Sequence, residues 1–303
     1  MRIWVALGLC AGCSFEHGTS VSGELPDAGD AVDVDGRMVD ATPGVFPTGP
    51  FGMPELVPIS SANYRDDDIT LTGDMLEIFF ESDRVTLGNG DIYTSRRASV
   101  NDAWSLPARI DELSTQWIET SMEVSTDGLT MYFSSNRPPS TSVDVYITTR
   151  PDRSSAWTSP VLVSSLSGSG GDWNAQPWSD TVLFLGSDRS PARGGSDIFR
   201  STRASAGASW GTPGVIAGLD TNRYEGEAFA DTTGAIWFTG DAEGDDDIWR
   251  AEAVGDGSYK TPQLVLEIDT QYGENDPWLS PDGHTLYFTS TRNGSLDIYV
   301  AKR

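Results

Sequence analysis

One tripeptide constrains this chain more than any other feature. Asp, then Ile or Val, then an aromatic recurs as Asp91-Ile92-Tyr93, Asp144-Val145-Tyr146, Asp197-Ile198-Phe199, Asp247-Ile248-Trp249 and Asp297-Ile298-Tyr299. The spacings are 53, 53, 50 and 50 residues. A regular period of that length marks a repeat architecture, and a four-stranded propeller blade is one of the few units that fits it. Two further landmarks keep the same period. An aromatic stands three residues before a proline at Phe51/Pro54, Trp104/Pro107, Trp157/Pro160, Trp210/Pro213 and Tyr259/Pro262. Proline lacks the donor that a central strand needs, so it marks an edge strand. An apolar run follows in each repeat, as in Ile78-Phe79-Phe80, Met131-Tyr132-Phe133, Leu183-Phe184-Leu185, Ile236-Trp237-Phe238 and Leu286-Tyr287-Phe288. A short run that is apolar on both faces suits a middle strand sandwiched between neighbours.

The order of these landmarks predicts how the ring closes. The repeat region opens on an outermost strand near Phe51–Ile59 and ends on a third strand, Asp297–Lys302, with no outermost strand after it. The N-terminal strand can complete the last blade and remove the exposed edges. The expected fold is therefore all-β, a five-bladed β-propeller of four-stranded antiparallel blades over residues 47–303. A solenoid would need capping repeats instead.

The stretch Asp276-Pro277-Trp278-Leu279-Ser280-Pro281-Asp282-Gly283-His284-Thr285-Leu286-Tyr287-Phe288-Thr289-Ser290 resembles the WD40-like repeat of TolB-type propellers. Repeats two and five carry the pattern most fully, and the turn is degraded in one, three and four. The resemblance implies a propeller of the bacterial envelope that serves as a protein-binding platform. TolB-type proteins have six blades and an additional N-terminal domain, so their specific partner does not carry over to five repeats.

The first residues have a different character. Arg2 followed by the apolar segment Ile3–Leu9 suits a secretion signal and is too short to cross a bilayer. Cys10-Ala11-Gly12-Cys13 resembles a bacterial lipobox, with Cys10 where leucine is usual. That resemblance implies a signal peptide over 1–12, lipidation of Cys13, and, with Ser14 following, an outer-membrane lipoprotein. Residues 13–46 are rich in Asp, Gly, Ser and Pro and read as a flexible acidic tether.

Composition then limits the function. With 20 basic and 45 acidic side chains the 303-residue chain carries a formal charge of -25. Nucleic acid and anionic membrane surfaces are unsuitable partners for it, because both need clustered Lys and Arg. The two cysteines lie in the first 13 residues and the two histidines are His17 and His284. Thiolate or histidine metal sites and a Ser/His/Asp triad have little material to draw on. No cofactor and no metal are expected, and the protein is expected to be a monomer.

Two sets of residues remain as candidates. After the apolar run comes Ser-x-Arg, with Arg84, Arg137, Arg189 and Arg292; repeat four has Gly240-Asp241-Ala242 instead. Each arginine is expected to pair with the aspartate that opens the third strand (Asp91, Asp144, Asp197, Asp247 or Asp297) and so fix the intervening loop. Before each innermost strand an aromatic precedes polar or acidic residues: Tyr64 with Asp66, Asp67 and Asp68; Trp117 with Glu119; Trp173 with Asn174; Tyr224 with Glu225 and Glu227; Tyr272 with Glu274 and Asp276. In a propeller these loops gather at one mouth of the central channel. Two readings stand: a binding mouth for cationic side chains or sugars, or acids that cap loop backbone with aromatics wedged between blades. The first favours a non-catalytic scaffold for an envelope protein partner. The alternative is a glycan-binding or glycan-hydrolysing propeller, with Asp67, Glu227 and Glu274 as the first carboxylates to test.

Overall fold

The computed structural model describes residues 46–61, 63–85, 90–241 and 244–303. The expected signal segment, residues 13–45 of the tether and Cys13 lie outside the described residues. Five antiparallel sheets of four strands follow one another. The first is Asp66–Leu71, Glu77–Ser82, Asp91–Arg96 and Ala108–Arg109. The second is Glu119–Val124, Thr130–Ser135, Asp144–Thr149 and Val161–Leu162. The third is Asp172–Pro177, Val182–Ser187, Asp197–Thr202 and Gly214–Val215. The fourth is Glu225–Ala230, Ile236–Gly240, Asp247–Ala251 and Gln263–Leu264. The fifth is Glu274–Leu279, Thr285–Ser290, Asp297–Lys302 and, from the other end of the chain, Glu55–Leu56. The chain is a five-bladed β-propeller.

Each tripeptide opens a third strand, and each apolar run fills a second strand. Ile78, Phe79 and Phe80 are all fully buried because blades stack on both faces of that strand. Each outermost strand is two residues long and begins just after the landmark proline. Such a short edge offers little to a foreign strand. The aromatic before that proline wedges into the preceding blade. Trp157 meets Phe79 edge-on at 6.0 Å, Phe51 meets Trp237 at 6.2 Å, and the Trp210 indole donates to the Tyr132 hydroxyl at 3.2 Å. An arginine lies over four of the five wedge rings: Arg97 on Trp104, Arg150 on Trp157, Arg203 on Trp210 and Arg303 on Phe51.

Closure occurs as the order of landmarks predicts. Glu55 pairs with Val300 and Leu56 with Tyr299, and the Val57 amide donates to the Ile298 carbonyl at 2.8 Å. Phe46 also packs against the cluster between blades four and five. A chain beginning at Pro58 therefore loses the fourth strand of blade five and the Phe51 wedge. We expect its melting temperature to fall by more than about 10 °C, since removing one buried aromatic alone costs about 3–5 kcal/mol. A calorimetric scan with an unchanged midpoint would refute the closure account.

Candidate functional site

Every innermost strand opens on a carboxylate: Asp66, Glu119, Asp172, Glu225 and Glu274. Four of them are held by the Ser-x-Arg arginines, and here the expected pairing is corrected. Arg84 bonds Asp66 at 2.7 Å, Arg137 bonds Glu119 at 2.9 Å, Arg292 bonds Glu274 at 2.9 Å, and Arg189 bonds Asp172. None of these arginines pairs with the third-strand aspartates. The reason is the second acceptor on the inner side. Each guanidinium also reaches a loop carbonyl there, of Ile59, Leu113, Leu166 or Ile268, while its Nε donates to the serine two residues earlier. Asp91 is bound instead by Arg109 at 3.0 Å. Asp66, Glu119 and Glu274 are thus occupied inside their blades.

The next residues face the axis. In every innermost strand the pairing register shifts at a bulge. The third residue there has a left-handed backbone: Asp68 (φ 51°), Ser121 (φ 50°), Asn174 (φ 49°), Glu227 (φ 48°) and Asp276 (φ 53°). A bulge re-aims a side chain, and a non-glycine residue in this conformation costs about 1–3 kcal/mol that the flanking ladder must offset. The five positions form a polar ring, and three of them are acidic. The Asp68 amide donates to Asp276 Oδ2 at 3.3 Å, and Ser121 Oγ to Asp68 Oδ1 at 3.3 Å. Thr289 Oγ1 lies 3.1 Å from Asp67 Oδ1 and 2.9 Å from Asp276 Oδ2. Thr120 bonds both Asp68 and Glu81.

Desolvation dominates the electrostatics of this ring. Burial, then the neighbouring charges of Asp68 and Asp67, pushes Glu227 up to about 8. Asp276 is pushed well above the usual carboxylate range by burial and by Glu227, Asp67 and Asp68. Burial also raises Asp68. Deeper in the channel, burial drives Glu123 up to about 8 although Asn174 Nδ2 (3.1 Å) and Thr70 Oγ1 (3.3 Å) both bond it.

Acidic groups are not spread evenly around the axis. A cavity of about 630 Å³ opens beside the axis at blades four, five and one. Six carboxylates line it: Asp67, Glu227, Asp241, Asp245, Asp246 and Asp276. No Lys or Arg is among its lining residues. Three of the acids come from the fourth-blade segment where Ser-x-Arg is missing. Of the predicted aromatics, Tyr224 joins the site: its hydroxyl donates to Glu227 Oε1 at 3.0 Å, and Gly226 leaves room for its ring. Trp117 and Tyr272 are exposed in their loops, Tyr64 lies under Arg84, and Trp173 packs on Gly171. Sequence reasoning passed over Ser121, Glu123, Asp241, Asp245 and Asp246. The available signal for the first two was the repeat itself: Ser121 holds the third place of its innermost strand, as Asp68, Asn174, Glu227 and Asp276 do, and Glu123 follows two residues later.

One group among the described residues could hold a metal ion. Carboxylate oxygens of Asp247, Asp269 and Glu274 lie within 4.8 Å of one another at the junction of blades four and five. Both oxygens of Asp247 lack a hydrogen-bond partner, and burial pushes its pKa up to about 7.

No protein-family model and no curated protein matches the chain. Solved structures with the same fold do. The family 117 glycoside hydrolase Zg3597 from Zobellia galactanivorans is 9% identical with a TM-score of 0.55, over 83% of this chain and 90% of that one. An endo-arabinase from Bacteroides thetaiotaomicron is 10% identical with a TM-score of 0.53, over 82% and 97%. TolB from Acinetobacter baumannii is 14% identical with a TM-score of 0.48, over 78% of this chain, which spans 54% of the TolB chain. At these identities the likeness is one of fold.

The Glu123 carboxyl keeps its proton to about pH 8 in the native protein, against about 4.5 as a free side chain. Between those values the folded state binds more protons than the unfolded state, so its contribution to stability falls as pH rises. We expect Glu123→Gln to melt above the wild type at pH 8 and level with it at pH 5. Parallel melting curves across that range would exclude the buried carboxyl as a cause.

Proposed function

We propose that this protein is a non-catalytic binding scaffold, held at the bacterial cell envelope by a lipid on Cys13, whose acidic channel mouth receives cationic side chains of a partner protein. The observation that carries this reading is the six-carboxylate wall of the mouth cavity, with no basic residue among its lining. Such a surface concentrates cations by its summed field and rewards a partner that desolvates and neutralises it. The acids are contributed by three blades, with Asp241, Asp245 and Asp246 all from the fourth, a spread suited to an extended basic segment. A tethered scaffold also fits the lipobox resemblance and the long polar segment between Cys13 and the propeller.

A second reading is favoured by one group. Glu227 holds a proton near neutral pH and accepts the Tyr224 hydroxyl, so it has the character of a general acid for glycoside cleavage. Two measurements separate the readings. Titrating the full chain with a lysine-rich peptide should give binding that weakens with salt and drops about tenfold or more in Asp67→Asn/Asp276→Asn, since charged hydrogen bonds contribute about 1.5–3 kcal/mol each. Release of sugar from arabino- or xylo-oligosaccharides, abolished by Glu227→Gln, would replace the scaffold by the enzyme. For the anchor, Cys13→Ser should shift the protein from the membrane to the soluble fraction on cell fractionation. Retention of that variant in the membrane pellet would refute lipidation at Cys13.

A further inference from the structure

Four blades share one internal device. A guanidinium lies against the aromatic faces at the ends of the second and third strands and binds the carboxylate that opens the first. Arg84 is 5.1 Å from the Phe80 ring and 5.4 Å from Tyr93. Arg137 is 4.9 Å from Phe133 and 5.5 Å from Tyr146, and Arg292 is 5.2 Å from Phe288 and 4.8 Å from Tyr299. Arg189 stands 5.7 Å from Phe199. Each also meets a carboxylate, a loop carbonyl and a serine hydroxyl, as described above.

Blade four keeps the socket and lacks the arginine. The position that carries Arg in the other repeats is Ala242, and the serine position is Gly240. Phe238 and Trp249 occupy the two aromatic places, Glu225 the carboxylate place and Leu219 the carbonyl place. All of them, with Gly240, line a cavity of about 400 Å³. Among the described residues no cation pairs with Glu225 or stacks on Phe238 or Trp249. Glu225 is 4% exposed and is bonded by the Thr221 amide and hydroxyl. The indole Nε1 of Trp249 has no hydrogen-bond partner. Arg223 also lines this cavity, and its guanidinium donates to the Asp241 carbonyl at 3.0 Å. The cavity adjoins the acidic mouth, since Asp241 lines both and Tyr224 reaches from one to Glu227 in the other.

We infer that this cavity is a receptor for an arginine side chain of a partner protein, the guanidinium lying between Phe238 and Trp249 and binding Glu225 and the Leu219 carbonyl. The chain itself points to the occupant: arginine fills the two-ring arrangement in blades one, two and five, and lies against Phe199 alone in blade three. Arginine suits it better than lysine because a planar guanidinium stacks on rings while offering several donors in one plane. The inference rests on the scaffold reading and narrows its partner to a segment that places an arginine beside further basic groups, the latter facing the acidic mouth.

The test uses the full chain and N-acetyl-arginine amide, followed by calorimetry, beside the neutral citrulline analogue. Wild type should bind the arginine probe at least about tenfold more tightly than citrulline, the difference expected of a charge-assisted bond. Glu225→Gln and Trp249→Leu should each weaken it about tenfold, a larger loss than Asp67→Asn/Asp276→Asn causes through the neighbouring field. Gly240→Ser/Ala242→Arg supplies the missing internal arginine, and should melt higher than wild type and no longer bind the probe. Equal binding of arginine and citrulline would overturn the inference. So would wild-type affinity in the refilled variant, or loss of binding confined to the Asp67/Asp276 variant. If the lysine-rich peptide still binds the mouth while the arginine probe does not bind at all, the socket fails and the scaffold reading stands.

Discussion

Four of the five innermost strands are anchored by a buried guanidinium that ties the second strand of a blade to the start of its first. Arg84, Arg137, Arg189 and Arg292 each connect a carboxylate, a loop carbonyl and a serine hydroxyl while covering aromatic faces. Taking away one partner of such a pair leaves a buried charge alone and costs about 3–5 kcal/mol. In those four blades the clamp anchors the carboxylate that opens the innermost strand. Blade four reaches the same start at Glu225, and the same bulge with a left-handed Glu227, without it, so the bulge belongs to the strand pairing itself.

The same device explains the asymmetry of the molecule. Where the clamp is complete, the first carboxylate is neutralised within the blade. Blade four has no such arginine, and burial with a nearby Asp197 pushes Glu225 up to about 7. Asp241, Asp245 and Asp246 of the same blade stand at the mouth with Asp67, Glu227 and Asp276. A single departure from the repeat thus gives both an aromatic cavity whose carboxylate has no cation partner among the described residues and an acidic wall beside it. Repetition builds the scaffold here, and the break in repetition supplies the chemistry.

Much of the fold was legible because its signals are local. Asp-Ile-aromatic, the aromatic-x-x-Pro spacing and the apolar runs each depend only on strand period and proline chemistry, and they located the third, outermost and second strands. The missing last strand pointed to closure by Glu55–Leu56. The site was legible only in part. Asp67, Asp68, Asn174, Glu227 and Asp276 were among the residues singled out, but Asp66, Glu119 and Glu274 were grouped with them although arginines occupy them. Spacing along the chain places Arg84 near both Asp66 and Asp91 and cannot tell on which side of the strand the guanidinium lies.

The sequence by itself determined the number of blades, the strand order, the closing strand and the repeat that departs from the others. Those follow from hydrogen-bonding capacity and apolar periodicity, which act over a few residues. Only the tertiary structure decided which carboxylates are paired, which are desolvated and which share a cavity. Those properties arise where five separate repeats meet, because burial and charge proximity are set by neighbours that can be 200 residues away, as with the Asp68 amide and Asp276, 208 positions apart.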